Sequence, residues 1–270
     1  MTALSSDVMT GKVVLVSGAT QGVGARIAVR AAECGAEAVV IGGRDVLRGE
    51  AVADEVHQSG SQGLFVAGDV GVVEQATNLV RQTIESFGRV DCVVNCAATT
   101  SRGSLTDTTP ELFDQHVNVN LKGPFFIMQA AARDMLDRAA GGSVVNILSI
   151  SSHGGQPYLA PYVASKSGLA GLTKNLAHAH RFDRIRINGV NIGWTLTEGE
   201  DVLQRTVHGA TDGWVERAGA SLPMGRLGRP ESRMSLSVRV RRLRYRNRET
   251  GPVARSSARA GLPSGIRFAR

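Results

Sequence analysis

Apolar and polar positions along the chain switch repeatedly between two patterns. Residues 12–18 (KVVLVSG) form an almost unbroken apolar run, as in a strand buried on both faces. Residues 21–34 then place apolar side chains every three to four positions, the period of an amphipathic helix. The same exchange recurs down the chain. Apolar stretches at 38–41, 63–67, 90–95 (VDCVVN), 142–149 (GSVVNILS) and 184–191 (RIRINGVN) read as strands. Helical periodicity fills 46–59, the stretch after 70 as far as about 87, the long stretch 110–137, and the stretch ending near 180. Strand and helix in strict alternation predict an α/β fold, with a parallel sheet covered by helices on both faces. Ligands in such sheets bind at the carboxyl ends of the strands, near the switch point.

Composition narrows this picture. A chain of 270 residues is long enough to bury a full core, and with 42% hydrophobic but only 4% aromatic residues that core is aliphatic. The 32 glycines suit many tight strand-to-helix turns. The first dozen residues lack the apolar run of a signal peptide, and no segment has the length of a membrane helix. The three cysteines, Cys34, Cys92 and Cys96, show no metal or disulfide spacing, and they fit a reduced cytoplasmic setting.

The net charge of +7 suggests nucleic acid until it is located. Residues 1–231 carry 20 Lys and Arg against 23 Asp and Glu, a net of −3. Residues 232–270 carry 11 Arg, no Lys and one acid, a net of +10. The body is mildly acidic and offers no footprint for a phosphate backbone, so neither nucleic acid nor membrane is expected as a partner.

Two motifs carry chemistry. Ser17-Gly18-Ala19-Thr20-Gln21-Gly22-Val23-Gly24 lies between the first strand and the first helix. Glycines there allow a tight turn and close approach of the backbone to a pyrophosphate, with the helix N-terminus facing the phosphates. Tyr162 and Lys166 are four residues apart and share a helix face, and Ser149 precedes the tyrosine by thirteen residues. Bringing a tyrosine from a pKa of about 10 to about 7 takes roughly 4 kcal/mol of phenolate stabilisation, and a lysine one turn away can supply such a field. Taken alone, a Tyr-x-x-x-Lys spacing is common. At the end of the second strand, Ile41-Gly42-Gly43-Arg44 lacks the acid that holds the ribose hydroxyls of NAD. Arg44 can hold a 2′-phosphate or stand solvated, so NADP is favoured over NAD.

These glycines resemble the short-chain dehydrogenase/reductase family, whose fingerprint is TGxxxGxG. Further matches extend the resemblance over about residues 10–231. Asp69-Val70 stands where that family contacts the adenine. Asn95-Cys96-Ala97-Ala98 stands at its NNAG motif, with Cys96 and Ala98 as departures. Asn120 in VNVNLKGPF matches its asparagine, and Ser149, Tyr162 and Lys166 match its serine, tyrosine and lysine. Asn191-Ile192-Gly193 followed by Thr197 resembles its PG-x-x-x-T segment, and residues 222–231 (LPMGRLGRPE) resemble the segment after its substrate lid.

The resemblance implies a Rossmann-like doubly wound parallel sheet of order 3-2-1-4-5-6. It also implies an NAD(P)-dependent oxidoreductase interconverting a secondary alcohol and a ketone. Tyr162 would exchange the proton with the substrate oxygen. Lys166 would lower the tyrosine's pKa and bind the nicotinamide ribose. Ser149 would hydrogen-bond the substrate oxygen, Asn120 would hold a water linking Lys166 to solvent, and Thr197 would orient the nicotinamide amide. Ser17, Gly18, Gln21, Gly22, Val23, Gly24, Arg44, Asp69, Val70, Asn95, Ala97 and Thr195 complete the expected cofactor site. Residues 194–225 read as the lid, whose Trp194 and Trp214 could meet substrate or pack the lid itself. Tyr158 and His153 could line the pocket, and His178 and His180 read as solvated.

After Glu231 the resemblance stops. The family continues with a helix, an SDxAxxxTG-like turn and a seventh strand, whereas this chain reads SRMSLSVRVRRLRYRNRETG. Arginine codons of the CGN type become GNN when read one nucleotide later, encoding Val, Ala, Asp, Glu or Gly. Over residues 240–248 codon choices exist that give SDASGIVTG. The expectation is therefore a frameshifted reading from about residue 232, with the seventh strand lost, a tail of disordered composition and the family's usual homo-oligomer in doubt. A dinucleotide-binding protein impaired in catalysis is the alternative that this tail raises.

Overall fold

A computed structural model describes residues 8–230. Six strands form one parallel sheet of order β3-β2-β1-β4-β5-β6. They are β1 (Val13–Ser17), β2 (Ala38–Gly43), β3 (Gln62–Ala67), β4 (Cys92–Asn95), β5 (Gly142–Ser149) and β6 (Ile185–Ile192). The helices are α1 (Gly22–Glu33), α2 (Val46–Gln58), α3 (Val73–Phe87), α4 (Pro110–Val117), α5 (Gly123–Asp137), α6 (Ala160–Ala179), α7 (Glu198–Val207) and α8 (Trp214–Ala220). The doubly wound sheet and its strand order are those expected. The loss of a seventh strand and the nature of the basic tail concern residues outside those described.

The continuous apolar runs have a direct structural cause. Successive strand residues point to opposite faces, and helices cover both. In β1, Val14 and Val16 join a core with Ile27, Val39, Ile41 and Val56. Leu15 between them faces the other way and packs with Val40, Leu79, Val93, Ile127 and Leu169. Each such fully buried aliphatic side chain contributes about 1.5–3 kcal/mol from removal of apolar surface from water.

The connections aim the site. Between β1 and β4 the chain reverses the direction in which it adds strands, and the two loops leaving their carboxyl ends lie side by side. Cys96 N donates to Ser17 O at 3.1 Å, and a Cβ on Gly18 would overlap the backbone of Ala97. Asp45 caps α2 by accepting from Arg48 N, and Thr109 caps α4 just before Pro110.

One expectation from periodicity is corrected. The apolar repeat of residues 110–137 predicts one helix, but α4 and α5 are separated by a π-helical turn over Asn118–Lys122. A π-turn adds one residue to a turn without ending the helix, so the apolar repeat passes through it. Asn120 sits at its centre, fully buried. The helix then passes so close to the β3–α3 loop that a Cβ on Gly123 would overlap the Val70 carbonyl.

Candidate active site

The loop from Gly18 to Gly24 forms a cradle at the carboxyl end of β1. Gly18 has φ +70°, a conformation that glycine adopts without strain. Gly24 has no room for a Cβ, which would overlap the Gly18 carbonyl. The N-terminus of α1 is left open: Gln21 gives no side-chain cap, and the first turn has no acid. An uncapped helix N-terminus behind a glycine turn presents amides and a positive dipole end to an anion. The donor set therefore fits the pyrophosphate of a dinucleotide.

Around this cradle stand the other residues expected to hold the dinucleotide. Ser17 is buried at the end of β1 beside Asn95 of β4. Asn95 donates to Asn146 at 2.8 Å, while its Oδ1 is buried without a hydrogen-bond partner. Asp69 accepts from Gly71 N at 2.8 Å and lies 3.8 Å from the exposed Arg44. Thr197 packs over Gly22 and caps α7 by accepting from Glu200 N. Thr195 pairs with Gly228 across the base of the lid.

The residues expected to carry the chemistry gather at the end of β5 and the start of α6. Ser149 ends β5, and its hydroxyl accepts from Ser151 N at 3.1 Å, so a short 3₁₀ turn fixes it. The same side chain favours the ionised form of the Tyr162 hydroxyl. One helical turn on, Lys166 is 2% exposed; its Nζ donates to Ile147 O at 2.8 Å and lies 5.9 Å from the Tyr162 ring centre. Asn120 Oδ1 accepts from Thr99 N at 2.8 Å, while Nδ2 donates to Thr99 O and to Ser165 Oγ, each at 3.0 Å. Both of its amide hydrogens are thus spent on clamping the β4–α4 loop to α6. A water between Lys166 and solvent would need another partner than this amide nitrogen.

Electrostatics here departs from the simple picture of a lysine acidifying a tyrosine. Burial pushes the Tyr162 hydroxyl above its ordinary pKa. The influences that oppose it are the Ser149 hydrogen bond and the charge of Arg102. Burial also lowers Lys166 to about 8, and the Cys96 thiol beside it is pushed up to about 11. Both members of the pair are desolvated, so each charge is costly before any ligand arrives. A tyrosine hydroxyl in its neutral form can still pass its proton to an oxygen seated against it.

Several participants were not singled out in the sequence. Arg102 lies on the loop after β4; its Nη1 donates to Thr100 O at 2.8 Å and its Nε to His208 Nε2 at 3.2 Å. Its guanidinium stands 5.7 Å from the Tyr158 ring centre. Arg48 on α2 bonds Gln21 and reaches Glu198 at 3.4 Å, joining cradle and lid. His116 is fully buried, edge-on to Tyr162 at 6.3 Å between centres, and its Nε2 has no hydrogen-bond partner. The spacing of none of these marks it, because their neighbours come from distant parts of the chain. Trp194 and Trp214 pack on each other at 6.1 Å and donate to Glu200 and Asp201, so lid packing accounts for them. His153 and His178 are exposed.

Comparison with known proteins converges with this geometry. The family model described as short chain dehydrogenase matches residues 12–207. The chain is 34% identical over 224 residues to an L-rhamnose 1-dehydrogenase (NAD(P)(+)) of a Sphingomonas species, covering 83% of this chain and 86% of the relative. It is 30% identical over 217 residues to a 3-oxoacyl-[acyl-carrier-protein] reductase of Staphylococcus aureus, covering 80% and 85%. Among solved structures, a variant of actinorhodin polyketide ketoreductase with NADPH superposes with a TM-score of 0.80 at 29% identity, covering 86% and 90%. A 3-oxoacyl (acyl-carrier-protein) reductase of Agrobacterium tumefaciens with NADP bound gives 0.79 at 27% identity, covering 88% and 90%.

Proposed function

The chain belongs to the short-chain dehydrogenase family, and from that premise we propose that it interconverts a secondary alcohol and a ketone, with Tyr162 as acid and base. The observation that carries this reading is the meeting of Tyr162, Ser149 and Lys166 at the end of β5, beside the glycine cradle at the switch point. A bound nicotinamide dinucleotide supplies or accepts the hydride. The chain's own groups handle the proton. In the reducing direction the Tyr162 hydroxyl gives its proton to the carbonyl oxygen, while Ser149 hydrogen-bonds that oxygen and shares its developing charge. That proton stays on the product alcohol, and a proton drawn from solvent restores the Tyr162 hydroxyl. Lys166, anchored on Ile147 O, carries its charge 5.9 Å from the Tyr162 ring centre when protonated. In the oxidising direction the same groups run in reverse.

NADP is the dinucleotide this chain favours. No acid stands at 42–44, and the nearest, Asp45, is spent capping α2. Arg44 is largely exposed and free to move from Asp69 to a 2′-phosphate, which a guanidinium holds well. The direct test is steady-state turnover of a broad panel of ketones and secondary alcohols with both dinucleotides. The expected result is NADPH-linked reduction of at least one ketone, with a lower KM for NADPH than for NADH. A protein that quenches NADPH fluorescence yet turns over no member of the panel would overturn the reading.

A further inference from the structure

We propose that Arg102 selects substrates bearing a carboxylate near the reacting carbon, that is, oxo acids and the matching hydroxy acids; this rests on the alcohol–ketone reading above. Arg102 is set firmly against the catalytic helix. Gly103 N donates to Tyr158 O at 3.0 Å, and Ala160 N donates back to Gly103 O at 2.9 Å, so the arginine is tied to the entry of α6, where Tyr162 lies. The close fit extends to Gly103 itself, where a Cβ would crowd Thr108 Oγ1 and Leu112.

The guanidinium is mostly covered, its side chain 18% exposed. Its Nη1 and Nε donors are used on Thr100 O and His208 Nε2. Its Nη2 forms a long ion pair with Glu200 Oε1 at 4.0 Å, beyond hydrogen-bond range. That oxygen already accepts from Trp194 Nε1 at 2.7 Å and Gln204 Nε2 at 2.8 Å. A largely desolvated guanidinium with donors to spare is matched by a planar anion that takes two parallel hydrogen bonds. The Tyr158 ring and the His208 ring, 5.9 Å apart between centres, flank it. A carboxylate suits this setting better than a phosphate dianion, which would bring two charges beside Glu200 against one guanidinium. The charge of Arg102 is also felt at Tyr162, where it favours the ionised hydroxyl.

The test compares 3-oxobutanoate with its ethyl ester, and 2-oxobutanoate with its ethyl ester, in NADPH-linked reduction by the parent protein, Arg102→Gln and Arg102→Lys. The quantity read is the ratio of kcat/KM for acid over ester. Loss of a lid contact or a change in Tyr162 acidity lowers both members of a pair together, whereas loss of a carboxylate partner lowers the acid alone. The expected result is a parent ratio well above one for the better pair, a fall of at least about tenfold in Arg102→Gln, and an intermediate ratio in Arg102→Lys. An unchanged ratio in both variants would overturn the proposal. Parent protein that reduces the esters as well as the acids would refute the selection and leave the dehydrogenase reading standing. Turnover of none of the four compounds nor of any other ketone would remove both.

Discussion

At the scale of single residues, Tyr162 and Lys166 make opposite demands on their surroundings. Proton transfer needs Tyr162 in reach of the substrate oxygen, and burial that excludes water also raises the hydroxyl's pKa. Tyr162→Phe should lower kcat by roughly 10²–10⁴-fold, the usual contribution of a positioned acid–base group, while NADPH binding followed by fluorescence is retained. Loss of binding without loss of chemistry would contradict the role given to the hydroxyl. Lys166 makes a prediction in the protein without dinucleotide. Its folded pKa of about 8 lies below its ordinary value of 10.5, so folding strips it of a proton between those limits. The unfolded chain binds more protons there, and stability must rise with pH as the burial penalty on the ammonium is relieved. The lysine alone should add about 1 kcal/mol between pH 8 and 9. Cys96, raised to about 11, works against it above pH 9. Urea midpoints measured at pH 7.5, 8.5 and 9 should therefore climb for the parent protein and less so for Lys166→Met. Parallel curves would refute the assignment.

Among elements, the informative one is the broken helix of α4, the π-turn and α5. Its apolar repeat runs straight through, since the extra residue of a π-turn shifts the register by only a fraction of a turn. The break lets Asn120 reach the Thr99 backbone on one side and Ser165 of α6 on the other. It also brings Gly123 against the Val70 carbonyl, tying this helix to the loop after β3. Gly123→Ala forces a methyl group into that contact. The expected outcome is a loss of about 1–3 kcal/mol in urea unfolding, the usual cost of overpacking, together with weaker dinucleotide binding as residues 69–70 shift. Gly171, where a Cβ meets nothing within 4 Å, is the control: Gly171→Ala on the same measurement should not destabilise, because its helix gains from alanine. Equal effects at the two positions would show that the Val70 contact is unimportant.

For the molecule as a whole, charge and sheet closure meet at the same end of the chain. The body has a net charge of −3 and residues 232–270 a net of +10, so the basic pI is a property of the last 39 residues alone. Among the described residues β6 pairs only with β5, and its other edge is unpaired. An open strand edge templates association with other chains. The proposed shift of frame from about residue 232 therefore predicts that a chain with the alternative frame restored melts higher by more than about 5 °C, as roughly 2 kcal/mol gives at this size. It should also aggregate less at equal concentration. Identical melting and association of the two chains would count against the shift, as would a gene whose alternative frame lacks coding potential.

Much of this architecture was legible in the sequence because its causes are local. Apolar runs such as VVLVS are buried on both faces, so they betray a parallel sheet, and the glycines mark the turn where only a bare backbone fits. Four-residue spacing puts Tyr162 and Lys166 on one face of a helix without knowledge of anything else. What the sequence by itself determined is therefore the doubly wound sheet, the glycine cradle and the shared face of Tyr162 and Lys166. The tertiary structure alone decided that a π-turn interrupts the fourth helical stretch and that burial opposes the Tyr162 phenolate. It also brought Arg102, Tyr158, His208 and Glu200 together. Arg102, Tyr158 and the pair Glu200 and His208, on α7 and at its C-cap, are separated by 42 to 106 positions, and no period or spacing links these three places. Only chain folding, by removing water from groups that it brings together, sets which charges meet and what each of them costs.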